Sequence, residues 1–300
     1  MAITGSRGIV WIASYPKSGN TWFRAFLTNL LRGGTKPASI NELAAPFASD
    51  REKIDSGSGL ETSRLTPDEM DTLRPDVYRT MAARSPERIY LKVHDAFRQL
   101  PGGQYLLPPD ASAAVVYIIR NPLDVAVSMA HFMNVAFEQG VDIINDSQSC
   151  GARQRYSLSS QVQQQLLSWS DHVRSWVDQH EIPVRTFRYE DLLCCPSKGF
   201  GEAASFLGLQ ESPEEVEQAV IHSRFDELKK QEGFAGFKES IPCAQGFFRQ
   251  GKTGQWRDAL SRDQVRRVVE AHGQVMRRFG YLNSRGEPGD EVWPGTRTFL

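Results

Sequence analysis

A lysine and a glycine close to the start of the chain have the types and spacing needed to hold an anionic group. Lys17 and Gly19 lie in residues 15–22 (YPKSGNTW), after the apolar run IVWIA and before a segment with helical spacing of apolar residues. A helix that begins here would offer free N–H groups and the positive end of its dipole to an anion. Gly19 lets the backbone come close to a ligand, and Lys17 adds a positive charge. The pattern predicts a phosphate-binding loop.

The order of residues in this loop differs from that of a nucleoside-triphosphate loop. In a Walker loop the Lys follows the second Gly and reaches the β- and γ-phosphates next to Mg²⁺. Lys17 instead precedes Gly19, and the GK[ST] element is absent from the loop. No acidic metal ligand stands out at a strand end. The loop is therefore predicted to hold a shorter 5′ group than a triphosphate, without a metal ion.

Basic and polar residues also follow the next apolar runs. His94 comes directly after IYLKV, and Arg120 directly after AVVYII. Ser128 lies two turns along the helix predicted next, on a face that could look back toward the first loop. A His with an ordinary pKa of about 6.5 is suited to removing a proton near neutrality. Taken alone, Arg120 could instead pair with Asp124, and His94 could cap a turn.

The elements that must position these residues can be predicted from periodicity. Short apolar runs predict strands at residues 9–13, 89–93, 114–119 and 184–189. Helical spacing or helix-start signals appear at residues 22–31, 66–73, 122–132, 166–177, 200–207, 214–222 and 261–279. Residues 33–85 are expected to be loops with short helices, and residues 138–160 to be polar loop.

Alternating strands and helices predict an α/β fold: a P-loop-like, three-layer arrangement with a central, mostly parallel sheet flanked by helices. Ligands of such sheets lie at the carboxyl ends of the strands. Lys17, His94 and Arg120 fall at those ends. A chain of 300 residues can bury a sizeable core, so one domain spanning residues 1–300 is expected, with its core at about 9–280 and a tail at 281–300.

Composition and charge narrow the class of partner. The net charge of -1 gives no overall attraction to nucleic acid or to an anionic membrane. The longest apolar run, residues 113–119, is far too short to span a bilayer. Two of the four cysteines are adjacent, which suits neither a disulfide framework nor zinc spacing. With a polar N-terminus that lacks signal-peptide features, a cytoplasmic location is expected.

Two motifs together resemble those of the sulfotransferases that use 3′-phosphoadenosine 5′-phosphosulfate (PAPS). They are YPKSGNTW and VVYIIRNPLDVAVSMAHF. Further similar segments follow in the expected order: KVHDAF at 92–97, FRYEDLL at 187–193, HSRFDELKK at 222–230 and FFRQGKTGQWRDAL at 247–260. The resemblance spans about residues 9–279. It implies an enzyme that moves the sulfuryl group of PAPS to an acceptor and needs no metal.

The resemblance also assigns roles to individual residues. His94 would be the base that removes the acceptor proton. Lys17 would be the cation at the leaving oxygen, and Lys92 would stabilise the sulfuryl oxygens. Ser128 would contact Lys17 and restrain it before the acceptor arrives.

The nucleotide contacts implied by the resemblance come from five segments. Arg120, Ser128 and Arg249 would hold the 3′-phosphate, and Trp22 and Phe225 would stack on the adenine. The full set of implied contacts is Lys17, Ser18, Gly19, Asn20, Thr21, Trp22, Arg120, Ser128, Tyr189, Ser223, Phe225, Arg249, Gln250 and Gly251.

Three positions in the last motif depart from a common family pattern. Gln250 stands where Lys is common, Gln255 where Asp is common, and Arg257 where Lys is common. The first change makes one charge-assisted contact neutral, at a cost of roughly 1 kcal/mol. Two other readings stay open: a P-loop kinase of a nucleotide or small molecule, and a catalytically silent nucleotide-binding protein.

The acceptor is expected to be a small-molecule alcohol or phenol, because no strongly basic groove for a polyanion is evident. Five phenylalanines are candidates for lining its pocket: Phe97, Phe132, Phe137, Phe234 and Phe237. Nucleic acid and a membrane span are not expected. The sequence leaves the oligomeric state open.

Overall fold

The protein is described by a computed structural model that covers residues 7–152, 159–241 and 246–289. Within these ranges the main sheet has four parallel strands in the order β2-β1-β3-β6. A two-stranded antiparallel ribbon, β4 with β5, lies apart from it. The strands are β1 (Ile9–Ser14), β2 (Ile89–Val93), β3 (Ser112–Ile119), β4 (Cys150–Gly151), β5 (Gln164–Gln165) and β6 (Val184–Arg188).

Helices connect these strands and cover both faces of the main sheet. In chain order they are α1 (Asn20–Arg32), α2 (Arg51–Ser58), α3 (Pro67–Arg84), α4 (Pro122–Met133), α5 (Phe137–Asn145), α6 (Trp169–Val177), α7 (Tyr189–Cys194), α8 (Pro196–Phe206), α9 (Pro213–His222), α10 (Phe225–Ala235), α11 (Trp256–Ala259) and α12 (Arg262–Arg278). Single 3-10 turns occur at Ile40–Glu42, Thr62–Arg64 and Pro109–Ala111.

The side-chain alternation of β1 divides the core into two layers. Trp11 and Ala13 pack into the cluster that includes residues of α3, α4, α6 and α12. Val10 and Ile12 pack into the opposite cluster, with residues of α1, α8 and α9. Because successive side chains of a strand point to opposite faces, a fully apolar strand requires cover on both sides. The expected three-layer α/β architecture is confirmed.

Helix starts agree well with the capping signals of the sequence. Thr66 caps α3 in a capping box with Glu69, and Pro67 is the first helical residue. Ser261 caps α12 in the same way, with Gln264. The four strand predictions are each correct to within two residues.

Three helix predictions differ from the structure. Helix α3 has 18 residues, in a region expected to hold only short helices. Helix α5 lies where polar loop was expected, and a Cβ at its Gly140 would meet the Ala126 carbonyl of α4 at 2.4 Å. The pairing of α5 with α4 therefore depends on a close approach that has little signature in the sequence.

Helix α6 is shorter than its apolar spacing suggested. Gln164–Gln165 pairs with Cys150–Gly151, and Leu167 has a left-handed φ of 62°. The helix therefore begins only after Ser168, whose side chain accepts a hydrogen bond from the Asp171 amide.

Three properties of the whole chain complete the description. In the described ranges, no helix has both the length and the apolar character needed to cross a membrane. Cys194 and Cys195 are free thiols, whereas Cys243 and residues 290–300 of the expected tail lie outside the described residues. The single-domain organisation and the cytoplasmic location stay predictions.

Candidate active site

The loop between β1 and α1 bends sharply at two residues. Lys17 has φ 69° and Gly19 has φ 103°, both in the left-handed region that non-glycine residues rarely adopt. A Cβ at Gly19 would come within 2.6 Å of the Tyr189 ring, so only glycine fits there. Asn20 braces the turn from inside, because its side-chain amide donates to the Ile12 carbonyl at 2.9 Å and to Ser14 Oγ at 3.2 Å.

The ammonium group of Lys17 lies between two aromatic rings. Its Nζ is 4.0 Å from the centroid of Phe132, on α4, and 4.0 Å from that of Phe247. Loss of water around the group, with smaller contributions from Lys92 and Arg120, lowers the pKa of Lys17 to about 7. In the absence of an anion, Lys17 is thus close to half-protonated at neutral pH.

Ser128 lies on α4 one turn before Phe132. Within residues 121–130 it is the only residue that is not buried, so it is partly accessible to a ligand or to solvent. In the described residues Lys17 makes no hydrogen bond to Ser128, because its ammonium lies on the rings instead. The restraint of Lys17 by Ser128 stays a prediction.

The ring of His94 is oriented by the end of β1. Its Nδ1 lies 2.7 Å from the carbonyl oxygen of Ser14, an acceptor, so Nδ1 carries the proton and Nε2 carries the lone pair. Burial, and then the charge of Lys92, lower the pKa of His94 well below its ordinary value. The ring is therefore neutral near pH 7, in the form that accepts a proton.

Buried polar groups hold the backbone of His94 in place. Asp95 forms an ion pair with Arg74 of α3 at 2.5 Å, with both side chains fully buried. The Asp95 carbonyl accepts from Trp176 Nε1 at 3.0 Å. The His94 carbonyl accepts from His172 Nε2 at 3.0 Å. These bonds fix the chain directly after β2.

Lys92 lies at the same end of the sheet, paired with a carboxylate. Its Nζ is 3.0 Å from the carboxylate of Glu239 and 4.0 Å from the centroid of the Phe47 ring. Arg24 of α1 contacts the same carboxylate at 2.8 Å. Burial lowers the pKa of Lys92, Glu239 opposes this effect and Arg24 adds to it, and the net pKa is about 8.

Arg120 connects the first loop to the C-terminal motif. Its Nη1 donates to the Lys17 carbonyl at 3.0 Å, and its Nη2 donates to the Lys252 carbonyl at 2.9 Å. Asp124 holds the same motif from the first turn of α4: it accepts from the Gly254 amide at 2.7 Å and the Trp256 amide at 3.2 Å. The loops after β1 and β3 and the 251–256 segment thus form one connected structure.

Aromatic rings line the neighbouring side of the site. Trp22 meets Tyr189 edge to face, with centroids 5.7 Å apart, and the Arg120 guanidinium lies 4.4 Å from the Tyr189 centroid. A Cβ at Gly251, which has φ 62°, would come within 2.4 Å of Phe225. Ser223 is fully buried and donates to the Val220 carbonyl at 3.1 Å. Trp22 and Phe225 are only partly buried, as a stacking surface requires.

Several polar atoms of this cluster have no protein partner. Within the described residues these are Ser18 Oγ, Asn20 Oδ1 and Arg120 Nε, all buried. Such atoms are normally satisfied, so a donor hydroxyl and a guanidinium N–H beside a helix N-terminus fit a phosphorylated ligand. Thr21 is also buried, in the first turn of the same helix.

In the C-terminal motif, one of the residues that depart from the family pattern, Gln255, still holds Arg249 by a hydrogen bond. Arg249 donates to the side chain of Gln255, which in turn donates to the Lys252 carbonyl at 2.8 Å. Gln250 is exposed. Gln255, which stands where Asp is common in the family, therefore still holds Arg249, through a hydrogen bond to a neutral side chain in place of one to a carboxylate.

The candidate pocket phenylalanines occupy different environments. Phe132 lies on Lys17, and Phe237 packs against Phe247 with centroids 4.8 Å apart. Phe97 belongs to the core and stacks on Tyr105, whereas Phe234 is 93% exposed. Phe137 packs edge to face on His131, with centroids 5.4 Å apart. Of the five, Phe132 contacts a catalytic candidate directly, and Phe237 adjoins Lys17 only through Phe247.

Sequence reasoning missed the residues that hold the site together. Asp124, Asp95 and Arg24 act through partners far along the chain, and Glu190 accepts from the Asn121 amide at 2.9 Å and from the Tyr281 hydroxyl at 2.9 Å. The available signal was that Asp124 is an acidic residue between the apolar Leu123 and Val125, and that Glu190 lies inside the FRYEDLL motif. Glu239 carried no such signal.

Among the described residues, no group of three or more His, Cys, Asp or Glu side chains is arranged to hold a metal ion.

Known proteins match the chain over most of its length. Rat sulfotransferase 1A1 is 29% identical over 275 residues, covering 88% of this chain and 83% of the relative. Mouse sulfotransferase 1B1 is 26% identical over 281 residues, covering 90% and 83%.

Solved structures share the fold. Mouse sulfotransferase SULT7A1 complexed with PAP has a TM-score of 0.57 and 20% identity, over 95% of this chain and 88% of that chain. A retinol dehydratase in complex with androsterone and the inactive cofactor PAP has a TM-score of 0.60 and 19% identity, over 92% and 82%.

The family model of the sulfotransferase domain matches residues 8–280, nearly the whole chain. This match spans every loop described above, from Lys17 to Trp256. It confirms the resemblance drawn from the motifs and the enzyme class that the resemblance implied. The chain belongs to the sulfotransferase family.

Proposed function

We propose that this sulfotransferase moves the sulfuryl group of PAPS to the hydroxyl of a small-molecule alcohol or phenol, with His94 as the base. The observation that carries the proposal is the grouping of His94, Lys17 and Lys92 at the carboxyl end of the sheet. His94 is the neutral acceptor among them, and the two lysines would be the cations once the anionic donor is bound. This grouping supplies a base, a leaving-group cation and an oxyanion cation, as sulfuryl transfer requires.

The reaction balances with these groups alone. The acceptor oxygen forms a bond to sulfur while the bond from sulfur to the 5′-phosphate oxygen breaks in line. The acceptor proton goes to His94 Nε2. The negative charge that develops on the phosphate oxygen is stabilised by Lys17. Lys92 would stabilise the sulfuryl oxygens as their charge spreads.

The nucleotide part of the donor is assigned to the residues around the N-terminus of α1, Arg120 and the C-terminal motif. The N-terminus of α1, with Ser18, would hold the 5′ group, and Arg120 with Arg249 would hold the 3′-phosphate. Trp22 and Phe225 offer partly buried rings for the base. The buried polar atoms without partners and the two close-packed glycines support this assignment.

A small acceptor is supported by the aromatic surroundings of Lys17. Phe132, Phe237 and Phe247 are grouped beside Lys17, which gives an aromatic wall suited to a phenol or an apolar alcohol. Two structures of retinol dehydratase that share this fold contain androsterone and retinol, respectively.

The His94→Ala variant tests the proposal, because it separates binding of the nucleotide from the sulfuryl-transfer step. We expect this variant to bind adenosine 3′,5′-bisphosphate with wild-type affinity and to lose transfer from PAPS to a phenol by about 10²–10⁴-fold, the usual contribution of a general base. Binding is measured by calorimetry, and transfer with a sulfur-labelled donor and a panel of phenols and alcohols.

Two controls address the other readings. Mg²⁺-ATP is titrated beside the bisphosphate, and stabilisation by Mg²⁺-ATP alone would favour the kinase. Bisphosphate binding without transfer to any acceptor would favour a silent nucleotide-binding protein. Near-wild-type turnover of His94→Ala would show that His94 is not the base.

A further inference from the structure

The segment of residues 236–241 places one carboxylate directly on a catalytic candidate. Glu239 is ion-paired with Lys92 at 3.0 Å and with Arg24 at 2.8 Å, and its side chain is only 15% exposed. Arg24 is 2% exposed and Lys92 is 6% exposed. One carboxylate therefore lies between two buried cations, 147 residues along the chain from Lys92.

This contact is built into the fold at both partners. The Lys92 amide donates to the Pro46 carbonyl at 2.9 Å, and its own carbonyl accepts from the Ala48 amide at 2.8 Å, so β2 is fixed on its outer edge. The Arg24 Nε donates to the Ala44 carbonyl at 3.0 Å. The backbone of Lys92 and the guanidinium of Arg24 are therefore both held beside Glu239.

The segment that carries Glu239 is anchored as well. The Asn41 side chain donates to the Gly236 carbonyl at 3.1 Å and accepts from the Lys238 amide at 2.8 Å. Phe237 is buried against Phe247 and Phe248. Glu239 is thus presented to Lys92 by a segment with fixed backbone and packed side chains.

We propose that Glu239 is a positioning residue that holds the Lys92 ammonium at the reacting sulfuryl group and keeps it protonated there. The proposal rests on the proposed role of Lys92 in sulfuryl transfer and adds the group that makes that role possible. Without Glu239, Lys92 would share a buried site with Arg24 and no counter-charge, and a buried amine in that situation loses its proton.

The charges around Lys92 set the direction of the effect. Arg24 from α1 lowers its pKa and Glu239 from the 236–241 segment raises it. The charge of Lys92 also lowers the pKa of Lys17, from the first loop, and of His94, from the end of β2. Of these neighbours, only Glu239 is an anion, so its removal and the removal of Arg24 have opposite consequences.

The first measurement is the titration of Lys92 itself, with no substrate present. The protein is labelled with ¹³C,¹⁵N-lysine, and the Lys92 Nζ resonance is assigned by its loss in Lys92→Arg. From a wild-type pKa of about 8, we expect Glu239→Gln to lower the value by at least about one pH unit and Arg24→Met to raise it. Glu239→Asp should lie between the wild type and Glu239→Gln.

Glu232→Gln is the matched control: it tests whether loosening the structure around residues 236–241 is enough to shift the pKa of Lys92. Glu232 accepts from the Phe247 and Phe248 amides, at 2.6 and 2.9 Å, and does not contact Lys92. This variant should leave the pKa of Lys92 unchanged. An equal shift in Glu232→Gln would show that Glu239 acts only by keeping the segment folded.

The second measurement is the pH profile of kcat at saturating donor. At low pH the kcat of Glu239→Gln should match that of the wild type, and as the pH rises it should fall to about a tenth of the wild-type value above pH 8. An unchanged Lys92 titration would overturn the proposal. So would a Glu239→Gln enzyme with lower donor KM and higher kcat at every pH, which would show that Glu239 competes with the sulfuryl group for Lys92.

The two measurements separate this proposal from the one on which it rests. The titration needs neither donor nor acceptor. If the chain transferred nothing, the Lys92 shift would still be expected. If transfer occurred but the shift were absent, only the role of Glu239 would fail.

Discussion

Lys17 shows how the surroundings of a single side chain decide its chemistry. As a surface residue it would be a permanent cation. Between the rings of Phe132 and Phe247, and near Lys92 and Arg120, its pKa falls to about 7. An anionic ligand would reverse the shift, so in the proposed mechanism donor binding would make Lys17 the cation that the leaving group needs.

This shift predicts a pH-dependent affinity for adenosine 3′,5′-bisphosphate. Above pH 7 the free protein loses the Lys17 proton and must regain it on binding, so affinity should fall by up to about tenfold per pH unit. The phosphates are fully ionised above pH 7.5 because their second pKa is about 6. Calorimetry between pH 7.5 and 9 in buffers of different ionisation heat measures both the affinity and the proton uptake.

Lys17→Arg is the control for this dependence, because an arginine stays charged throughout that range. The variant should bind with a much flatter pH profile and without proton uptake. A slope equal to that of the wild type in Lys17→Arg would assign the dependence to another group.

At the scale of elements, buried carboxylates join loops that lie far apart in the sequence. Asp124 in α4 holds the Gly254 and Trp256 amides, and Glu190 at the start of α7 holds the Asn121 amide at the start of α4. Burial raises the pKa of Glu190, and the Asn121 amide opposes that shift. The loops are therefore rigid because charged acceptors satisfy their backbone donors.

Asp124→Ala should weaken bisphosphate binding through this connection. The variant removes two charge-assisted hydrogen bonds from the segment that carries Arg120's partner, the Lys252 carbonyl. At about 1.5–3 kcal/mol for a hydrogen bond to a charged group, an affinity loss of at least tenfold is expected. Calorimetric titration measures it, with circular dichroism to verify folding.

Asp258→Ala serves as the comparison on the same C-terminal motif, because Asp258 is exposed. It should bind the bisphosphate like the wild type. Equal affinities for Asp124→Ala and Asp258→Ala would show that the Asp124 contacts do not support the nucleotide site.

At the scale of the whole molecule, the site shares its supports with the core. The Arg74–Asp95 ion pair joins α3 to the residue after His94, and both side chains are fully buried. Arg74 also donates to the hydroxyl of Tyr78, which packs edge to face on Trp11 of β1. A change in this pair therefore affects both the stability of the fold and the position of the base.

Asp95→Ala should lower the free energy of unfolding by about 3–5 kcal/mol, because it leaves the Arg74 charge buried and uncompensated. Asp76→Ala breaks the exposed Arg79–Asp76 pair and should cost less than about 1 kcal/mol. Urea denaturation followed by tryptophan fluorescence compares the two. Similar losses in both variants would contradict the stabilising role assigned to the buried pair.

The sequence by itself determined the strands, the loop after β1 and the candidates at strand ends. Each of these depends on residues that are close in the chain: alternation and apolar runs for β1 to β3, a glycine and a lysine before α1, and a histidine directly after β2. Parallel strands bring their carboxyl ends together, so local patterns were enough to group Lys17, His94 and Arg120.

Only the tertiary structure decided which partners tune and hold those residues. Glu239 reaches Lys92 across 147 positions, and Asp124 reaches Gly254 across 130. Helix α5 depends likewise on the close approach of Gly140 to α4. A pKa or a packed turn depends on burial and on charges within a few ångströms, and chain folding, rather than sequence spacing, sets those distances.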